Sequence, residues 1–351
     1  MRPSLSPQNY ASSLLASVLA GSLFCWPLHV VLAAGQNADL VLLLAGGTMA
    51  IWTGIVPGVG REPTPVATVL DGMALVLMMA VDGLILVSLG SMLQTFYFPE
   101  TPRWALVGIF LAVVVGWTLR RPHSAPILAG LWIPLLLAGS LGMAGLACTN
   151  LRFIRVLAPL PTIGLRPLGL GLVVMAFVVL PLPITLRRYG GLRQETPRWR
   201  DRLIPAMVAW AFLGVLYAVV VGTLGPTALT HLRWPLVFTL DQVTLDSAFF
   251  LSRIGLLVIF AWTLGAAVGV LVHFDVMVSS PRGIGAPLWA IPAIGAVWFA
   301  AILAIPSPAW ATWWLVHRVD FAAAGYLTLD ALYSSLRLAH SHRARSRFDI
   351  P

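Results

Sequence analysis

The chain alternates long apolar runs with short polar joints, a pattern that predicts a polytopic membrane protein. Each run is long enough, alone or with its flanks, to cross about 30 Å of hydrocarbon as a helix. The runs are 11–34, 40–55, 69–93, 104–119, 125–146, 168–186, 204–224, 249–274, 288–305 and 310–336. We therefore expect an all-α integral membrane protein with about ten transmembrane helices.

Composition narrows the class further. Of 351 residues, 59% are hydrophobic and 10% are charged, whereas soluble domains average about 25% charged residues. We expect residues 1–351 to form one membrane domain without a separate soluble module. The first run is long enough to span and more spans follow, so we expect a retained helix rather than a cleaved signal peptide.

The basic residues predict an orientation. The net charge is +9 and the chain contains no lysine, so all 22 basic residues are arginines. Most fall in every second joint, and basic residues beside apolar spans normally mark the cytoplasmic side rather than a nucleic-acid site. These arginines are Arg2, Arg61, Arg120, Arg121, Arg187, Arg188, Arg193, Arg198, Arg200, Arg202, Arg282, Arg337, Arg343, Arg345 and Arg347. Both termini are predicted to be cytoplasmic, with 338–351 as a basic tail.

Five spans in each half would make two inverted repeats, about 11–147 and about 163–337, because an odd number of spans inverts the second copy. Carriers built in this way have a broken first helix in each repeat. Span one contains Gly and Pro in 21–27, and span six contains Pro181 and Pro183. Both spans fit interrupted helices, although Gly and Pro are also common in ordinary transmembrane helices.

Three motifs resemble the endospore germination permease family, the B subunits of spore nutrient germinant receptors in the amino acid/polyamine/organocation superfamily. Residues 98–102 are similar to the family's L-P-E-T-P between spans three and four. Residues 225–235 resemble its G-P-x-x-T-x-x-L-x-Y/W-P, and 250–254 followed by Trp262 resemble its F-L-x-R-x…W. Two departures are the absence of a carboxylate in 168–186 and the presence of Asp82 in span three.

This resemblance implies a ten-helix, LeuT-type amino-acid-carrier fold in the inner membrane of the bacterial spore, assembled with two other receptor subunit types. The implied function is a receptor subunit that binds a small nutrient, commonly an L-amino acid, and triggers germination. The alternative is a secondary transporter that moves amino acids with a cation or proton. A receptor subunit and a transporter would bind the nutrient in the same pocket, so the sequence leaves both functions open.

A zwitterionic nutrient needs backbone groups freed by helix breaks and a few side chains rather than a catalytic residue. Small residues at the predicted first break can approach the ligand, although close helix packing explains them equally well. The middle of span six can form apolar walls, although packing in the core or against lipid explains these residues better. Two residues of span eight are candidates by position. The candidate ligand-binding residues are Gly21, Ser22, Cys25, Met175, Ala176, Phe177, Trp262 and Thr263.

Asp82 is the candidate ion or proton site, because a carboxylate in the bilayer centre is costly and is normally buried against a partner or water. Asp71 lies eleven residues earlier and therefore on nearly the same helix face. The alternatives are a partner for the ammonium group of the ligand, a structural pair with an arginine such as Arg253, and a protonated hydrogen-bonded acid. Local polar clusters are expected at His317, Arg318 and Asp320 and at His273 with Asp275.

The sequence contains no Ser-His-Asp set, phosphate-cradling loop or His/Glu metal motif in the required context. The two cysteines support neither a disulfide framework nor a metal site. We therefore expect no enzyme activity, no metal and no cofactor. The expected partners are the nutrient, the other receptor subunits and membrane lipid, which the basic joint from Arg187 to Arg202 also suits.

Overall fold

The computed structural model describes residues 5–20, 26–55, 64–121, 124–148, 152, 164–190, 197–232, 234–241, 254–278 and 287–348. Every predicted apolar run that lies in these ranges is helical. The first half contains α1 Pro7–Ala20, α2 Trp26–Ala34, a 3-10 turn Gly35–Asn37, α3 Ala38–Ile55, α4 Pro65–Phe96, α5 Arg103–Arg120 and α6 Ala125–Ala147.

The second half repeats this order of helices. It contains α7 Leu165–Val174, α8 Ala176–Val179, α9 Pro181–Gly190, α10 Trp199–Leu224, α11 Pro226–Leu229, α12 Pro235–Asp241, α13 Ile254–Val278, α14 Ala290–Leu303, α15 Pro308–Trp314, a π-helical segment Leu315–Val319 and α16 Asp320–Phe348. The helices α11 and α12, which lie between α10 and α13 in the chain, are too short to cross a membrane.

Six helices of the described part are long and apolar enough to cross a membrane. They are Pro65–Phe96, Arg103–Arg120, Ala125–Gly142, Leu165–Gly190, Trp199–Leu224 and Ile259–Val278. Ala290–Leu303 and Pro308–Arg337 meet the same criterion only as a bent pair. The predicted first, second, ninth and tenth spans are helical in their described parts, but none of these helices meets the criterion alone.

Helix contacts follow the symmetry of two inverted halves. The first span packs on the fifth through α1 and α6, and the sixth packs on the tenth through α7, α8 and α16. In the same way α4 packs on α15 and α16, while α13 packs on α6. Helices α3 and α10 occupy equivalent positions and pack on each other, as do α5 and α14. The fold is the 5+5 LeuT type that the sequence predicts.

Helix α1 lies at the centre of this arrangement and contacts α6, α9, α10 and α13. Every residue from Ser12 to Ala20 is buried. Small residues, including Ser13, Ala16 and Ser17, let neighbouring backbones approach on every side, which is how helices pack tightly in hydrocarbon. A helix surrounded by protein needs no amphipathic face, and this explains why its sequence shows none.

The closest approach joins α1 to α13 at Gly269. A Cβ atom added at Gly269 would overlap Ala20 and lie 2.9 Å from the carbonyl oxygen of Ala16. Both neighbours belong to the α1 backbone or its first side-chain atom, so no flexible side chain can move aside. The glycine is therefore required for the two helices to touch.

Replacing Gly269 with Ala is expected to lower the free energy of unfolding by about 1–3 kcal/mol, because overpacking forces the backbones apart. Thermal unfolding of the purified chain in detergent measures the change. Gly214→Ala in α10 is the matched control, since a Cβ there meets nothing within 4 Å. Equal midpoints for the two variants would contradict the close α1–α13 contact.

Candidate functional site

The sixth span is interrupted near the middle of the bundle, where it breaks at Met175 and again at Leu180. The first span is described as α1 up to Ala20 and as α2 from Trp26. Contacts of α2 with α7, and of α1 with α9, place both of these helices beside the interrupted sixth span. Such breaks release backbone groups that can meet a ligand, provided that protein covers them from lipid.

Next to the interruptions is a narrow gap between α2, α4 and the tenth span. Its lining is mostly apolar, with one imidazole and two hydroxyl groups. The lining residues are His29, Leu84, Ile85, Ser88, Ala311, Thr312 and Leu315. The gap is too narrow to hold a water molecule, so a ligand can enter only if the surrounding helices separate.

His29 is the polar residue of α2 that faces this gap. Its side chain is 1% exposed, and neither ring nitrogen has a hydrogen-bond partner among the described residues. The ring meets Phe177 edge to face, with 6.1 Å between centroids. A buried imidazole without partners costs free energy that a ligand hydrogen bond would recover.

A second polar group lies one helical turn along α4 from the gap. Asp82 is fully buried, and both its carboxylate oxygens lie 2.9 Å from Nδ1 of His273 in α13. Nε2 of His273 lies 3.1 Å from the carbonyl oxygen of Ser17 in α1. Three helices therefore meet through one aspartate, one histidine and one backbone carbonyl.

This arrangement fixes the protons of the Asp82–His273 pair. A carbonyl oxygen only accepts, so Nε2 of His273 must carry a hydrogen. The other hydrogen bond contains one proton, held by His273 as imidazolium or by Asp82 as a carboxylic acid. Both forms are neutral overall, which lowers the cost of about 3 kcal/mol for a lone charge at the bilayer centre.

Arg187 forms a third polar group at the end of α9. It donates to both carboxylate oxygens of Asp330 at 2.8 and 3.0 Å, to the hydroxyl of Tyr326 at 3.0 Å and to Asp71 at 2.9 Å. Helices α4, α9 and α16 are held together by this one guanidinium. Arg187, predicted as a determinant of topology, thus also has a structural role inside the bundle.

The structure places the predicted residues unequally. Gly21, Ser22 and Cys25 lie outside the described residues, as does Arg253. Met175, Ala176 and Phe177 are buried at the first break of the sixth span.

The two candidates in α13 do not line the gap. The indole of Trp262 donates to the hydroxyl of Ser140 in α6 at 2.6 Å. The hydroxyl of Thr263 donates to the carbonyl oxygen of Ile259 in its own helix. Both are buried.

The sequence analysis missed His29. It named His273 only in an expected cluster with Asp275, whereas His273 contacts Asp82 and Asp275 accepts from the hydroxyl of Tyr189. His29 and His273 are single histidines in apolar runs, and their only distinguishing signal is polarity at a position where a span should be apolar.

The expected cluster of His317, Arg318 and Asp320 is wrong. His317 and Arg318 are exposed beside Trp313, whereas Asp320 is buried. Within the described ranges no three His, Cys, Asp or Glu side chains form a metal-binding group.

Comparison with known families decides the classification. The family model for spore germination proteins matches residues 70–282, well over half of the chain. The chain belongs to the spore germination protein family. The resemblance carried by the three motifs is thereby confirmed. No curated protein matches the chain.

Solved transporter structures resemble this spore germination family member in fold. A mutant of the Eremococcus coleocola manganese transporter is 14% identical, with a TM-score of 0.52 over 95% of this chain and 78% of the transporter. Mhp1, a nucleobase-cation-symport-1 family transporter in a closed conformation with bromovinylhydantoin bound, is 14% identical, with a TM-score of 0.50 over 99% of this chain and 80% of that one. At these identities the comparison shows the fold alone, which is LeuT-like.

The Arg187 cluster predicts a ranking of stabilities. Replacing Arg187 with Met should destabilise the protein by about 2–4 kcal/mol, because it leaves the Asp330 carboxylate buried without a counter-charge. Asp71→Asn should cost under about 1 kcal/mol, since Asp71 is partly exposed and water can replace the lost pair.

Unfolding in detergent tests this ranking, with Arg200→Met as a control because Arg200 is exposed and the change removes the same charge. A larger loss for Asp71→Asn than for Arg187→Met would contradict the assignment of Arg187 as the centre of the cluster.

Proposed function

We propose that the protein is a membrane subunit of a spore germinant receptor, which binds a small nutrient, an L-amino acid, and signals to partner subunits. Family membership supports the germination role, and the LeuT-like fold supports a ligand site at the interrupted helices. The observation that carries the proposal is the closed gap, which contains a buried histidine with no hydrogen-bond partner among the described residues. The proposed setting is the inner spore membrane, with both termini cytoplasmic.

In this proposal the nutrient occupies the gap after α2, α4 and the tenth span move apart. Phe177, with Met175 and Ala176 beside it, supplies apolar surface, and His29 supplies a hydrogen bond. Gly21, Ser22 and Cys25 remain proposed contacts for the ligand carboxylate. Trp262 and Thr263 remain proposed ligand-binding residues, and they lie on α13, which packs against α1 of the first span.

Signal transfer follows from the position of α4. Ile85 lines the gap, and Asp82 lies three residues earlier on nearly the same face. A displacement of α4 by ligand therefore strains the contact of Asp82 with His273, and through His273 the contact with α1. The nutrient shifts the protein only as far as its affinities for the closed and opened forms differ.

The alternative is a secondary transporter coupled to a proton. The observation that favours it is the neutral Asp82–His273 pair, which contains one proton that can move between two titratable groups. A transporter would accumulate substrate without partners, whereas a receptor subunit would require them. The two functions can therefore be distinguished by testing whether the chain needs partner subunits for its activity.

Spores that lack their own receptors, supplied with this chain and its partner subunits, test the receptor function against a panel of L-amino acids. His29→Leu and Phe177→Ala should raise the nutrient concentration for half-maximal germination at least about tenfold, the effect of losing about 1.4 kcal/mol of binding. Leu131→Ala is the control, because Leu131 is 73% exposed on α6.

Two results would reject the receptor function. One is germination by the His29 and Phe177 variants at unchanged nutrient concentrations. The other is no germination by any variant together with uptake of labelled amino acid by the chain alone, which would establish the transporter.

Asp82→Asn tests the proton site directly. Asparagine has nearly the shape of aspartate and can still accept a hydrogen bond from His273, but it cannot exchange a proton. Proton movement into vesicles that contain the purified chain, measured with amino acid present, should be lost in this variant. Asp71→Asn should retain it. Unchanged proton movement in the Asp82 variant at every pH would exclude this site.

A further inference from the structure

Asp320 differs from the other buried aspartates of the described chain. Asp82 contacts His273, Asp275 accepts from the hydroxyl of Tyr189 at 2.9 Å, and Asp330 pairs with Arg187. The side chain of Asp320 is 0% exposed, yet neither of its oxygens has a hydrogen-bond partner among the described residues. A buried carboxylate in this state lacks the counter-charge that such groups normally have.

The local helix geometry places Asp320 beside the candidate site. Its backbone N–H donates to the carbonyl oxygen of Leu315, which closes the π-helical segment. Residues five apart in a π turn lie on nearly the same side of the helix, and Leu315 lines the gap. Single π turns inside α-helices are frequent at functional sites. Asp320 is therefore one π turn from the gap.

The sixth span supplies a second set of oxygens on a segment that packs against α16. Helix α16 packs against α8, which contains Phe177 and Val179. Proline has no amide N–H, so Pro181 and Pro183 cannot donate the helical hydrogen bonds to the carbonyls of Phe177 and Val179. Carbonyl oxygens released at an interrupted membrane helix are typical ligands of singly charged cations.

We propose that Asp320 is the anionic ligand of a singly charged cation held between α16 and the interrupted sixth span. The chemistry fits an alkali metal ion and a primary ammonium group equally, since both present one positive charge to oxygen atoms. If the cation is the ammonium of the nutrient, the inference rests on the proposed function and extends the candidate site to α16. If it is an inorganic ion, the site lies beside the nutrient site.

Thermal unfolding of the purified full-length chain in detergent, without nutrient, tests the proposal. Midpoints are compared in NaCl, KCl, methylammonium chloride and N-methyl-D-glucamine chloride at equal ionic strength. At least one of the first three salts should raise the midpoint by about 3 °C or more over the bulky cation, because a ligand that binds only the folded state stabilises it. A rise in NaCl or KCl identifies an inorganic ion, and a rise in methylammonium alone identifies an ammonium group.

The rise should disappear in Asp320→Asn and persist in Asp330→Asn, a control that removes a buried carboxylate from the same helix. Equal midpoints in all four salts for the original chain would overturn the proposal, and so would a rise retained by Asp320→Asn. If the Asn variant does not fold, Asp320→Glu should change the ion concentration for half of the rise by at least about threefold; no change would reject the site.

Because nutrient is absent from this experiment, its failure leaves the germination assay of the receptor function untouched. A midpoint that is higher for Asp320→Asn than for the original chain, with no effect of any salt on either, would identify Asp320 as a neutral carboxylic acid. That result would also overturn the cation site.

Discussion

The hydrocarbon interior offers no water to hydrogen-bond an exposed backbone, and this constraint governs the architecture. A transmembrane helix can be interrupted only where protein surrounds the break. The sixth span obeys this requirement throughout its middle, since every residue from Val174 to Leu186 is buried. Helix α1 of the first span is likewise enclosed by other helices. Because the interrupted sixth span must be covered, it lies beside α1 at the centre, and the remaining helices form the cover.

Helix α4 contributes side chains to contacts at three levels of this cover. Its Ile85 lines the gap, its Asp82 contacts His273, and its Asp71 contacts Arg187. These residues span about 21 Å of one helix at 1.5 Å per residue. A rigid helix of this kind transmits a displacement along its length, because its backbone hydrogen bonds do not yield before its side-chain contacts do. Movement at the gap is therefore expected to reach α1, α9, α13 and α16 together.

Much of the fold could be predicted from the sequence, because the length and hydropathy of a membrane helix are visible in its own local sequence. The interruption of the sixth span could also be predicted, since Pro181 and Pro183 act within their own helix. The predicted break of span one falls on 21–25, outside the described residues. Asp82 was recognisable as unusual, but its partner was not: His273 lies 191 residues away, and no local pattern pairs them. His29 has no signal beyond its polarity. The error at Asp320 has a physical cause, because the π turn changes the helical register and separates it from the exposed His317 and Arg318.

The receptor and transporter functions place different requirements on the contact between Asp82 and His273. A receptor needs only an equilibrium between two forms that a nutrient biases, so the Asp82–His273 pair can act as a neutral latch that never releases its proton. A transporter must release that proton to one side and recover it from the other, so the pair must become accessible to water in turn from each face. The pair is fully enclosed when the gap is closed, and Arg187 joins α9 to α4 and α16 beyond it. A transporter therefore requires a rearrangement that exposes this buried pair to each side in turn, whereas a receptor requires only a shift between two forms in which the pair stays enclosed.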